Sequence, residues 1–557
     1  VRNAVVYDPA NGINGEVMDL SISDGKIVEE VDEKRALVID GSGKTLLPGG
    51  VDIHSHIAGP KVNLLRMVRP EDHMKDPDPK RGFRRSGTGH SLPSTFTTGY
   101  RYAVMGYTTV FEPANPPMKM MHVHDELNDT PILDKATYPL CGNNWFVMQY
   151  LKDGMIDECA AYISWLMEAV KGYAIKIVDA GSVEAWKWGR GVMDLDQEVP
   201  HFGVSPKQII VGLCKVSQML RLPHPVHIHA NRLGYPGNYK TALQTMEAVR
   251  DLARDGKPVM HLAHGQFNAY GGMDWADMRS EAGAIAKYVN SSDHVTLDLG
   301  QIVFEETTTM TADGPFEWDL YQITGKKWVN ADVEVETGCG GVPIHYRKRN
   351  FVHGVMWAAG LELALLIKDV AKVCMTTDHP NGGPFTSYPR VISWLLSRRA
   401  REKVLKRISQ RARARSVIES LDREYTFLEA ITVTRSAPAR ILGLKEKGHL
   451  GMGADADLAI YDIDMRKLDP STQYREVRKA LRRAWFTIKG GEIVVKSGEI
   501  VGAPVGRTYW VKASVPDDVK QKVLSRLEEE FDEYYTVKLR NYEIPESYLA
   551  RSAPVAV

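Results

Sequence analysis

The chain has 557 residues, 43% of them hydrophobic, and its 70 basic residues balance 70 acidic ones. That length suits one large domain plus a smaller one, and the neutral total gives no support to a nucleic-acid or membrane-surface partner. Five scattered cysteines form no Cys-x-x-Cys pair, which argues against an iron–sulfur cluster held by this chain and for a reducing compartment; no apolar run reaches the roughly 18 residues of a membrane span. The N-terminus lacks a charged region followed by an apolar one, so the expected location is the cytoplasm.

Residues 1–46 alternate apolar and polar positions between turns, over 4–7, 18–22, 24–28 and 36–39, predicting short antiparallel strands. The same texture returns over 456–461, 484–489 and 492–495. Segments 1–47 and 441–512 are therefore expected to build one composite β-sandwich from both ends of the chain. Between them, 48–440 alternates strand-like runs (50–53, 108–111, 174–178, 226–228, 259–263, 295–299, 373–377) with helical stretches (159–170, 206–219, 239–254). That is the pattern of an α/β fold, a (β/α)8 TIM barrel with active-site residues at its strand C-termini. An open doubly wound sheet is the runner-up, although no Gly-x-Gly-x-x-Gly follows the first strand. The basic run 398–415 reads as a solvated or subunit-facing helix. Segment 513–557 reads as a charged helix over 520–532 and an extended tail packed on the barrel or on another subunit.

Metal-competent groups end the strand-like runs. A Pro-Gly-Gly turn leads into Val51-Asp52-Ile53-His54-Ser55-His56, where period-two alternation places both imidazoles on one face. With 17 histidines, about 0.5 His-x-His pairs arise by chance in a random sequence, and the chain has three, so a pair alone proves little. His122 and His124 lie in a helical stretch, where i and i+2 face apart, and are read as non-ligands. His227/His229 and His261/His264 each offer two candidates near a strand end, and Asp378 follows the last run. Lys176 sits inside the apolar run 174–178, where a charged amine costs several kcal/mol unless it is neutralised, paired or modified. A buried ion pair is one reading. The other is a carbamate, formed with carbon dioxide, whose two oxygens bridge two cations.

In type and order these residues resemble the amidohydrolase superfamily, in which His-x-His on strand one, a carboxylated lysine on strand four, histidines on strands five and six and an aspartate on strand eight build a binuclear metal site. The resemblance implies His54, His56, Lys176, His229, His264 and Asp378 as ligands, with His227 and His261 packed behind them. Further runs, among them Arg69-Pro70-Glu71-Asp72, Gly142-Asn143-Asn144-Trp145, Thr307-Thr308-Thr309-Met310-Thr311-Ala312-Asp313 and Thr377-Asp378-His379-Pro380-Asn381, narrow it to the family of formylmethanofuran dehydrogenase A subunits. That family implies two zinc ions bridged by N6-carboxylated Lys176, and a condensation of formate with the methanofuran amine to N-formylmethanofuran, or its reversal. Asp378 would carry the proton. It also implies a complex with iron–sulfur proteins and with a tungsten- or molybdenum-containing formate-forming subunit, none of those centres being on this chain. Arg66, Arg69, Arg101, Asn231 and Arg232 are candidate substrate-binding residues, the arginines for steering formate or holding an acidic tail, although an arginine more often serves as a structural ion pair. Three alternatives stay open: the hydrolytic A subunit of the methylotroph formyltransferase/hydrolase complex, a free-standing cyclic amidohydrolase, and a non-catalytic scaffold on the same fold.

Overall fold

In the computed structural model, which describes residues 1–32, 34–75, 89–190, 194–254, 256–333 and 335–557, eight short parallel strands close on themselves. They are β1 (Gly50–Asp52), β2 (Tyr107–Asn115), β3 (Asp134–Pro139), β4 (Lys176–Val178), β5 (Val226–His229), β6 (Met260–Leu262), β7 (Val295–Asp298) and β8 (Val373–Cys374). Ladders join β1 to β3 and β4 to β8; single bridges at Leu140–Lys176 and Ser55–His379 complete the circle. Both faces of such strands are covered, so they read as apolar runs and not as alternations. Helices such as Ile156–Ala169 and Pro206–Met219 pack outside, the latter started by a Ser205–Gln208 capping box.

Six of the eight strands overlap the predicted runs within a few residues, and β2 extends four residues beyond its run. The strand missing from the sequence reading is β3. It opens on Asp134-Lys135 and closes on Pro139, which look like a loop. Its carboxylate is neutralised by distant partners: Asp134 lies 2.6 Å from Lys447 Nζ, 2.8 Å from Lys489 Nζ and 2.9 Å from Arg507, all contributed by the C-terminal part of the chain.

The two chain ends do meet. One seven-stranded sheet runs Ile13–Met18, Ala4–Asp8, Thr45–Pro48, Leu458–Tyr461, Phe486–Lys489, Glu492–Lys496, Glu499–Ile500, and a hairpin of Ser21–Ser23 with Lys26–Val28 lays Ile22 and Ile27 on its apolar face. Two expectations need correction. Residues 36–39 form no strand, because only Asp40 finds a bridge (to Arg2), and Leu37 and Val38 stay exposed. Thr508–Lys512 leaves the sandwich: it pairs in parallel with β3 at Lys135 and with the terminal strand Ser552–Ala556, so the tail is stitched into the barrel sheet. The charged helix runs Asp517–Tyr534 and buries Val523, Leu527 and Phe531.

Between β7 and β8 the chain inserts a three-stranded antiparallel sheet (Glu306–Thr311, Val329–Val333, Glu336–His345) and the helix Gly314–Thr324. In the basic run, the helix Arg398–Leu405 buries Arg401, which donates to the carbonyls of Trp394, Leu421 and Arg423, while Arg398 and Arg413 meet acidic neighbours. No helix among the described residues is long and apolar enough to cross a membrane.

Candidate metal centre

Register decides the layers of the barrel interior. Lys176 aligns with His227, His227 with His261 and His261 with Thr296, so these four form one row across β4 to β7. His229, His264 and Asp378 come later along their strands and lie nearer the C-terminal mouth. The ligand atoms of His54, His264 and Asp378 fall within 4.8 Å of one another. His54 Nε2 is 3.0 Å and His56 Nε2 3.3 Å from Asp378 Oδ1, and His264 Nε2 is 3.8 Å from Asp378 Oδ2. The His229 and His264 rings stand 4.8 Å apart.

The two histidines of the lower row are already committed to protein partners. His227 places Nε2 2.8 Å from His54 Nδ1 and Nδ1 3.0 Å from His224 Nε2; His261 meets Thr296 Oγ1 at 2.9 Å and Asp298 Oδ2 at 3.3 Å. In the upper row, His264 Nδ1, His54 Nε2 and Asp378 Oδ1 are buried without a hydrogen bond. Lys176 Nζ is buried and also makes none, which does not fit a hydrogen-bonded ion pair.

The electrostatics of the pocket suit cations. Burial holds His229 below its ordinary range and His264 well below it, so both stay neutral near pH 7 with a lone pair to offer. Burial would lower His54 too, but Asp298 and Asp378 outweigh it and raise it to about 9; the two carboxylates call for positive charge there. Burial pulls Lys176 down to about 7, leaving much of the amine neutral, the form that adds carbon dioxide. An amine with no hydrogen bond, together with one ring nitrogen each of His54 and His264 and one oxygen of Asp378 that also make none, is a donor set that suits a cation.

Residues that sequence reasoning passed over hold this set in place. Glu112, within β2, lies 3.1 Å from His56 Nδ1 and accepts from Lys61 Nζ (2.7 Å) and from the backbone N–H groups of Ile57 and Ala58. Burial would raise its carboxyl, but Lys61 and His56 outweigh that and hold it at about 2. Asp298, ending β7, accepts from the backbone N–H of His264 (2.9 Å) and from Thr376 (3.0 Å), and its other oxygen lies 3.3 Å from both His54 Nδ1 and His261 Nε2. One carboxylate thus ties three ligand-bearing segments together, as outer-shell partners of metal ligands do. His264 (φ 38°) and Asp378 (φ 48°) are both in the left-handed region, and Gly300 passes so close to His264 that a Cβ there would sit 2.4 Å from the histidine Cβ. Asp52 anchors the first strand, accepting from Tyr102 (2.7 Å), Tyr388 and the His54 N–H. A carboxylate inside an apolar run, as in Val110-Phe111-Glu112 and Leu297-Asp298, is the same signal that singled out Lys176.

A cavity of about 320 Å³ opens above the site, with His229, His264 and Asp378 at its floor and Phe267, Phe316, Leu320 and Ile344 among its walls. None of the five predicted substrate-binding residues lines it. Arg66 pairs with Glu126 at 2.9 Å; Arg69 bonds Ser91, Thr307 and Thr308; Arg101 donates to the Gly89 carbonyl; Asn231 donates to Ala180 and Ser182; Arg232 reaches Asp194 at 3.5 Å. His124 lies far from the centre in the helix Met120–Asn128, its Nε2 3.0 Å from the Val170 carbonyl, and His122 is 3.8 Å from Glu126.

A parallel barrel with this order of donors, joined to a sheet made from both chain ends, defines a metal-dependent hydrolase of the amidohydrolase class, and the chain belongs to the amidohydrolase family, whose model matches residues 37–495. Within that class the narrower resemblance to formylmethanofuran dehydrogenase A subunits also holds. The chain is 49% identical to Protein FwdA of Methanocaldococcus jannaschii, over 98% of this chain and 97% of that one. It is 34% identical to the A subunit of the formyltransferase/hydrolase complex Fhc of Methylorubrum extorquens, over 95% and 94%. The crystal structure of the FhcABCD complex from Methylorubrum extorquens with methylofuran matches with a TM-score of 0.90 at 33% identity, covering all of this chain and 98% of that one. D-aminoacylase, with a TM-score of 0.51 at 14% identity, shares the fold alone.

Proposed function

We propose that this chain is the formyl-transferring subunit of a formylmethanofuran dehydrogenase, joining formate to the methanofuran amine and catalysing the reverse hydrolysis at a binuclear zinc site bridged by N6-carboxylated Lys176. The observation that carries this reading is the buried amine of Lys176, without a hydrogen bond, in a barrel whose apolar cavity is lined by His229, His264 and Asp378, with His54 and His56 beside Asp378. Two divalent cations bound there would act as Lewis acid toward the formyl oxygen and bring the pKa of a water to near 7.

The chain's own groups do the rest. Asp378 lies beside His54 and His56 through one oxygen and accepts from Asn381 Nδ2 at 2.8 Å through the other, so it is held to take the proton of the attacking water and return it to the leaving amine. Phe267, Phe316 and Leu320 are the apolar walls that exclude water from the reacting amine. For an acidic tail, the run Arg347-Lys348-Arg349 is better placed than the arginines picked from the sequence: its neighbours Tyr346 and Asn350 line the cavity, and burial, Arg407 and Arg390 together lower the Lys348 amine. Five buried free cysteines accord with a reducing cytoplasm, and the electron-carrying centres belong to partner subunits in this reading.

The test is metal analysis of the native complex together with turnover of N-formylmethanofuran. Two zinc ions per chain and release of formate are expected; a metal-free active chain would refute the assignment. The likeness to the A subunit of Fhc favours one second reading, a complex running only toward formate. Tungsten or molybdenum with iron–sulfur clusters in the native particle supports the reductive complex, and their absence supports the hydrolytic one.

A further inference from the structure

Asp313 is a carboxylate from the segment inserted between β7 and β8 that contacts a candidate ligand, His229. It follows the inserted strand Glu306–Thr311 and caps the helix Gly314–Thr324, its Oδ1 accepting from the Phe316 N–H at 3.1 Å. Its other oxygen, Oδ2, lies 3.1 Å from His229 Nε2, and both side chains are buried. A ring nitrogen that donates to a carboxylate cannot also bind a cation, so this contact leaves Nδ1 as the metal-binding nitrogen of His229. The loop after His229 is fitted to the same helix. Gly234 (φ +84°) passes so close to Phe316 that a Cβ would sit 2.3 Å from its ring, and Tyr235 donates to Asp319 at 2.7 Å while its ring meets Phe316 edge-on. Phe316 and Leu320 of that helix wall the cavity above the candidate ligands.

We propose that Asp313 is the positioning residue of the second cation: it fixes the tautomer and orientation of His229 so that Nδ1 faces the metal, and it ties that ligand to the helix that walls the substrate cavity. This rests on the binuclear reading above. Outer-shell carboxylates of this kind are worth roughly 10- to 100-fold in metal affinity. Asp313→Ser keeps a helix cap but is too short to hold the ring, whereas Asp313→Asn keeps both the cap and an acceptor oxygen of the same reach.

The test is zinc binding, by competition with a chelator, to the full chain stripped of metal and supplied with bicarbonate, repeated with cobalt to follow the visible absorption of each bound ion. The wild-type chain is expected to take two ions. In Asp313→Ser the weaker of the two should bind roughly 10- to 100-fold less tightly and Asp313→Asn should recover most of the loss, with the unfolding midpoint of the metal-free Ser variant unchanged. Two ions held by Asp313→Ser at wild-type affinity would overturn the inference while leaving the binuclear reading intact. So would anomalous diffraction placing a cation between His229 Nε2 and Asp313. A wild-type chain that binds no zinc would overturn both.

Discussion

Replacing Lys176 with methionine should stabilise the metal-free chain and at the same time abolish its capacity for two metals, a combination a structural lysine would not give. The amine is fully buried, lacks a hydrogen bond, and is pulled by burial from 10.5 to about 7. A lysine whose folded pKa is depressed opposes folding; the cost is complete below pH 7 and vanishes as pH rises to 10.5. At 1.36 kcal/mol per pH unit it amounts to ~4 kcal/mol at pH 7. Methionine keeps most of the volume, and a swap of that kind costs under about 1.5 kcal/mol. The variant should therefore gain ~2–4 kcal/mol at pH 7 by denaturant midpoint, measured on metal-stripped, carbon-dioxide-depleted protein, and the gain should shrink toward pH 10. Metal per chain after dialysis should fall and turnover should be lost. In Lys176→Ala, which leaves room for a guest, a small carboxylic acid should restore part of both. A methionine variant that is less stable than wild type at pH 7, or that retains two metals, would refute the reasoning.

Asp378→Asn should leave the fold and much of the metal in place while formyl hydrolysis drops by ~100- to 10,000-fold, as expected for loss of a general base; retained hydrolysis would remove its role in proton transfer. Glu112→Gln leaves the Lys61 charge buried without its carboxylate and should cost ~3–5 kcal/mol in urea unfolding. Adding Lys61→Met should recover that stability but not the zinc bound through His56, and recovery of both would mean that Glu112 serves packing alone. Burial holds His124 at about 4 against its ordinary 6.5, so stability should fall as pH drops from 6.5 to 4, by ~3 kcal/mol for this group. In His124→Gln, which can still donate to Val170, the acid limb of the unfolding curve should be shallower; an unchanged limb would contradict the shift.

Chain order and residue type already carried the chemistry. His54 and His56, Lys176, a histidine pair at each of the fourth and fifth runs and Asp378 come in the order a barrel needs, because each strand delivers its last residues to the same mouth. The two flanks could be matched because both show period-two alternation. What spacing cannot reveal is depth. His227 and His229 share a face, and only the register of β5 against β4 and β6 puts His227 in the row of Lys176 and His261, where its nitrogens are taken, while His229 sits above. His264 and Asp378 likewise owe their reach to left-handed backbone turns held by Asp298 and Thr376, which no pattern of side chains announces. Glu112, Asp298 and Asp313 act on residues 56, 34 and 84 positions away in sequence. Contacts of that span exist only after the barrel closes, so the ligands were legible one by one, and the groups that aim them were decided by the tertiary structure.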